Sequence, residues 1–310
     1  MAFSATEAAL EGFRLTRRHP AAVAVWAALM IVFNVGVATL MVVMAGPQLM
    51  AMSQMEQTNP EAVAPQEMLA MLGPVMGVYA ILIVLSVIVM SVFTAAVYRA
   101  SGAQGGDAIG FLRFGAAEFR QMAVGLIVGL LGFVALIVVT LVFGFIMGLL
   151  AVGASSAGVG AGMAAMFGVV LLLYVIMAAG GLAFYTKFSF AGPMTFVSKR
   201  IRIFESWKAT SGRFWPLAGC YLMATLLGLL VAFLGWVISI GGLMAFGGTF
   251  EQAMVPDMTS LAVFMTPGRA AYLVINAVFS ALSYTIFLSP AFSAWRQIHG
   301  SAADLGRTFD

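Results

Sequence analysis

Six long stretches of this chain contain no Asp, Glu, Lys, Arg or His: residues 21–45, 74–98, 122–151, 163–186, 216–246 and 271–295. At a rise of 1.5 Å per residue, about 20 residues cross the ~30 Å hydrocarbon layer of a bilayer, so each run is long enough to span one. The runs at 122–151 and 216–246 exceed that length and must tilt, bend or emerge. In lipid only helices and closed barrels satisfy their own backbone groups. Segments such as ILIVLSVIVM (81–90) lack the alternation of a barrel strand. The expectation is an all-α, polytopic transmembrane bundle of six spans.

Composition closes the soluble alternative. The chain is 62% hydrophobic and 9% charged, against roughly 45–50% and about 25% in an ordinary soluble domain. Residues 1–310 therefore read as a single transmembrane domain. Arg14, Arg17 and Arg18 precede the first run as they would in a secretory signal, but 21–45 is longer than the 7–15 residues of about one signal core, so it is read as a span.

Counting Lys and Arg orients the bundle. With the N-terminus inside, fourteen of the fifteen basic residues fall on the cytoplasmic side and Arg269 alone lies outside. This predicts a multi-pass protein of a bacterial inner membrane with both termini cytoplasmic. The net charge of +3 then reports orientation, and no nucleic-acid partner is expected. Cys220 is the only cysteine, which excludes an internal disulfide and a multi-cysteine metal site. No cofactor is expected.

The external connections read as a polar loop at 46–73 with one short helix near 66–72, a small-residue turn at 152–162, and a segment at 247–270 in which Leu261 to Met265 dips toward the bilayer. Before spans 1, 3 and 5, the segments 3–18, 108–120 and 201–213 mix aromatic and basic residues, as amphipathic interfacial elbow helices do. At 100° per residue, Phe3, Ala9, Leu10 and Phe13 oppose Glu7, Glu11, Arg14 and Arg18. Ser4 followed by Glu7 supplies a capping box. In the third segment Ile203, Phe204 and Trp207 oppose Arg202, Glu205 and Lys208. The pairs Phe13-Arg14, Leu112-Arg113 and Trp207-Lys208 suggest a threefold hairpin repeat. The same pattern also arises without duplication, wherever a helix enters a membrane from a basic side.

FSFAGPMTF (188–196) followed by IFESWKATSGRFWPLAG (203–219) carries Pro193 and then Ser206, Trp207, Thr210, Gly212, Phe214 and Trp215. This arrangement resembles the YciC-like six-span proteins and the membrane domain found fused to glycerophosphodiester phosphodiesterases. The resemblance implies the six-span layout. The phosphodiesterase activity belongs to a separate soluble barrel and does not transfer to these residues.

Ion-coupled transport and proton relays normally keep an ionisable group inside the bundle, and the six runs hold none. His19 and His299 sit at the ends of apolar runs, so no catalytic residue is assigned and the protein is expected not to be an enzyme. Asn34, Asn276, Ser283 and Tyr284 are the candidate interhelical or cavity-lining polar residues. The pairs Gly125/Gly129 and Gly144/Gly148 predict close helix packing, and Pro290 a kink or break. Lys199, Arg200, Arg202, Lys208 and Arg213 form a cluster suited to anionic lipid headgroups or to fixing topology alone. Three functions follow as expectations: a non-enzymatic, lipid-interacting protein of envelope organisation or lipid handling; an uncoupled transporter or channel for a small neutral or hydrophobic molecule; and an accessory subunit of a membrane complex.

Overall fold

The structure, a computed structural model, describes residues 3–58, 65–102, 109–157 and 159–300. These residues form twelve helices and no strand: α1 (Ala5–Ala9), α2 (Glu11–Arg18), α3 (Pro20–Thr58), α4 (Pro65–Gly102), α5 (Ala116–Ala157), α6 (Val159–Phe188), α7 (Ala191–Ser198), α8 (Glu205–Ala209), α9 (Phe214–Ala245), α10 (Phe250–Met254), α11 (Leu261–Phe264) and α12 (Pro267–His299). Six segments are long and apolar enough to cross a membrane: Pro20–Met52, Leu72–Gly102, Ala116–Leu149, Met166–Ser198, Phe214–Ala245 and Pro267–His299. The chain is an all-α bundle of six spans.

The helices outrun the apolar runs. Residues 46–58 and 65–73, read from sequence as a polar loop, continue α3 and α4 instead. Met, Gln, Ala and Glu dominate QLMAMSQMEQ, and these residues favour helix whatever the solvent. Residues 152–157 and 159–162 likewise continue α5 and α6. Pro47, Pro74 and Pro290 all lie inside helices, so Pro290 does not break α12. Its ring lacks an N–H and leaves the Ile286 carbonyl without its intrahelical donor.

The contacts of the chain divide it into two compact units. One holds Phe119–Leu222 with the two chain ends, the other Ala9–Glu118 with Met223–Pro290. In the second unit, Leu15, Trp26, Met30, Phe93, Val97, Phe111, Ala277 and Ala281 share a buried core. Gly12 of α2 sits so close to α12 that a Cβ there would lie 2.6 Å from the Ile286 Cα. The first elbow is therefore fastened to protein, through a face that differs from the expected one. Glu11, Gly12 and Leu15 are buried, and Phe13 is exposed. Glu11 turns inward because Arg14 and Arg18 meet its carboxylate at 3.6 and 3.8 Å. Only half of the expected capping box forms. The Glu7 N–H donates to Ser4 Oγ, whereas the Ser4 N–H donates to Gln297 Oε1 at 2.9 Å, both ends of that bond lying in the first unit.

The second elbow is not a separate helix. Residues 109–111 form a turn and α5 begins at Ala116. Gly110 and Phe111 are both left-handed, with φ of 57° and 61°, a conformation glycine adopts freely and phenylalanine rarely. The turn is held from three sides. Trp26 Nε1 donates to the Gly110 carbonyl at 2.7 Å, Arg99 Nη1 donates to the Phe111 carbonyl at 3.0 Å, and the His19 ring meets the Phe111 ring edge-on at 5.3 Å. Arg99 also pairs with Glu118, whose second carboxylate oxygen accepts the Gly115 N–H. Both members of the pair are buried.

Glycines set the contact between α9 and α12, but not those expected from the spacing of four. A Cβ on Gly125, Gly129, Gly144 or Gly148 would meet nothing within 4 Å, so these pairs make no packing contact. The close approaches occur at Gly228, Gly235 and Gly242, seven residues apart on one stripe of α9. They receive Phe287, Phe279 and Ile275 of α12.

Candidate functional site

The connection from Lys187 to Arg213 lies within the first unit. Its backbone is tied down by small hydroxyls. Ser206 Oγ accepts the Phe190 N–H at 3.1 Å and donates to the Lys187 carbonyl at 2.7 Å. Thr210 Oγ1 donates to the Ser206 carbonyl at 2.9 Å, and Thr195 Oγ1 accepts the Arg202 N–H at 3.0 Å. All three hydroxyl residues are fully buried. Gln121 reaches in from α5, its Nε2 donating to the Gly192 carbonyl at 3.0 Å, and Ile203 packs on Val124 and Ala191.

The inward side of α8 is thus Ser206 and Thr210, with Ile203 beside them, while Phe204 and Trp207 are exposed. This corrects the expected division, in which Ile203, Phe204 and Trp207 formed one apolar face. A five-residue helix is too short for a 100° plot to fix its orientation, and the buried hydroxyls decide it by answering backbone groups that would otherwise be orphaned.

Four of the five candidate lipid contacts, Lys199, Arg200, Lys208 and Arg213, are exposed. Arg202 is half-buried and its Nη1 donates to Glu205 Oε2 at 3.1 Å. Lys199 caps α7 in the left-handed region at φ 57°. Around the four cations stand exposed apolar side chains: Ile201, Phe204, Trp207 and, at 80% exposure, Trp215. Lys187 lies over the Trp207 and Phe214 rings at 5.2 and 5.8 Å, a cation–π arrangement that holds both rings in place.

Replacing Ser206 by alanine should leave the Phe190 N–H buried and unanswered, at a cost of about 1–3 kcal/mol. Thermal unfolding in detergent would show the loss, and Ser211→Ala, at an exposed hydroxyl, should show almost none.

Three of the four candidate polar membrane residues converge in the second unit. Asn276, Ser283 and Tyr284 line a cleft of about 150 Å³ with Ala232, Phe279, Ser280 and Phe287. Ser280 Oγ lies 3.5 Å from Asn276 Oδ1. The Ser283 hydroxyl is buried with no hydrogen-bond partner among the described residues. Asn34 is half-buried on α3 and does not line this cleft. The two histidines are half-buried. His299 stacks on Trp295 at 5.8 Å and meets Phe190 edge-on, contacts that belong to the first unit.

Fold and connections together define a polytopic α-helical membrane protein with an ordered connection that is both basic and aromatic. The chain matches no family model, no curated protein and no solved structure.

Proposed function

We propose that this chain is a non-enzymatic protein of a bacterial inner membrane that engages anionic lipid headgroups through residues 187–213, in the manner expected of a YciC-like six-span protein with cytoplasmic termini. The observation that carries the reading is the exposure, on one fastened connection, of Lys199, Arg200, Lys208 and Arg213 beside Phe204, Trp207 and Trp215. Amphipathic rings favour the headgroup level of a bilayer. Basic groups beside them add about 1 kcal/mol each against an anionic surface. Membrane lipids are then the partners, in envelope organisation or lipid handling.

The test is lipid preference. A variant carrying Lys199→Gly, Arg200→Gln, Lys208→Gln and Arg213→Gln removes the four exposed cations, and glycine suits the left-handed backbone at 199. Native mass spectrometry of wild-type protein should retain phosphatidylglycerol over phosphatidylcholine, the more so at low salt, and the variant should lose that preference. Equal retention of both lipids by the wild type would refute the proposal.

A second reading, uncoupled passage of a small neutral molecule, is favoured by the cleft at Asn276, Ser283 and Tyr284. Flux of such a solute into proteoliposomes, reduced by Ser283→Leu, would support it.

A further inference from the structure

Arg269 occupies the first turn of α12 and is nine-tenths buried. Its guanidinium lies over the rings of Phe264 and Tyr272, with Cζ 4.9 and 5.0 Å from their centroids. Such contacts take up none of the guanidinium N–H donors, which are left to seek an acceptor. Here Nε and Nη1 are buried without a hydrogen-bond partner among the described residues, an arrangement that is costly for a charged donor. The N-terminus of a helix is also the wrong end for a cation, since the helix dipole is positive there. Everything local to Arg269 calls for a negative charge.

Arg269 lines a cavity of about 130 Å³ with Leu243, Gln252, Pro256, Asp257, Val263, Phe264 and Thr266, several times the space one water needs. Two of the polar groups around it have an acceptor in use and a donor to spare. Gln252 Oε1 accepts the Thr249 N–H, which leaves Nε2 to donate. Thr266 Oγ1 accepts the Arg269 N–H, which leaves its O–H to donate. Asp257 is the one acid among the described residues of the lining. Its Oδ1 accepts both the N–H and the hydroxyl of Thr259, bonds that hold the exposed carboxyl below the usual carboxylate range. It is therefore ionised at neutral pH and stands within 4 Å of no Arg269 nitrogen.

We infer that this cavity is an oxyanion site of the phosphate type, in which the Arg269 guanidinium binds the anion through its N–H groups and Gln252 Nε2 and the Thr266 hydroxyl complete the donor set. A guanidinium fork matches such an anion geometrically as well as electrostatically. The inference is independent of the basic connection, because every residue invoked lies between 243 and 272.

Two probes separate the sources of such an anion. Inorganic phosphate is added to the full-length protein in a neutral maltoside detergent, and the protein is separately placed in nanodiscs of phosphatidylcholine with or without phosphatidic acid. Thermal stabilisation by inorganic phosphate marks a soluble ligand, and stabilisation by phosphatidic acid alone marks a lipid headgroup. Either is expected to weaken at least about tenfold in Arg269→Gln, while Gln252→Ala, which keeps the charge, weakens it less. Asp257→Asn should tighten binding by removing a repelling carboxylate. The inference is overturned if neither probe stabilises the wild type, or if the stabilisation survives in Arg269→Gln. It is equally overturned if Asp257→Asn destabilises the anion-free protein as much as Arg269→Gln does, because Asp257 would then be the partner of Arg269.

Discussion

Glu118→Ala should cost about 3–5 kcal/mol, the range for removing one member of a buried ion pair and leaving the other charge uncompensated. Glu118 is 2% exposed and Arg99 8%. The carboxylate answers Arg99 through one oxygen and the Gly115 N–H through the other. Its loss therefore frees the turn at 109–115 as well as taking the Glu118 carboxylate away from the guanidinium. The double variant Arg99→Met with Glu118→Leu should recover most of the loss, because apolar side chains of similar volume need no partner there. Reversible unfolding of the detergent-solubilised protein would measure both. A single variant losing under about 1 kcal/mol would mean that water already reaches the pair.

The second large effect is expected on α9. A Cβ on Gly235 would lie 2.2 Å from the Cβ of Phe279. Both atoms are bound directly to helix backbone, so neither can swing aside. Gly235→Ala should cost about 3 kcal/mol, the upper end of ordinary overpacking. Gly228→Ala should cost less, since its nearest conflict is with the Phe287 ring edge at 2.4 Å, and a ring can turn. Gly125→Ala meets open space and should gain about 0.5–1 kcal/mol from better helix propensity. Melting temperatures ranked in any other order would contradict the contact between α9 and α12 described above.

These two regions also show how far the chain could be read without coordinates. The apolar runs announced six helices because hydrocarbon leaves a backbone few alternatives. Their ends were not legible: residues 46–58 are polar enough for a loop, yet their local preferences are helical. Glycine spacing misled for a related reason. Gly125/Gly129 and Gly228/Gly235/Gly242 are equally visible among 34 glycines, and only the partner helix decides which of them are needed. The elbow faces differ from expectation at Glu11, which turns inward, and at Phe204 and Trp207, which do not share the buried side of Ile203. Glu11 carries its own cations at 14 and 18, and α8 is oriented by Ser206 and Thr210. Asn276, Ser283 and Tyr284 were visible only as polar residues of one apolar run; that they line a single cleft follows from their spacing of seven and eight residues on one face of α12. The environment of Arg269 was not, because Phe264, Gln252 and Tyr272 reach it from three different elements.

The hydroxyl ties of Thr195, Ser206 and Thr210 have a kinetic and thermodynamic corollary. A basic tail that grips a charged surface must first surrender its freedom, and that loss opposes binding. Here the chain entropy is already spent during folding, so on the proposed function a headgroup would meet cations carried on a backbone of fixed geometry. Weakening any one tie should soften discrimination between head groups of different shape before it diminishes attraction to negative charge in general.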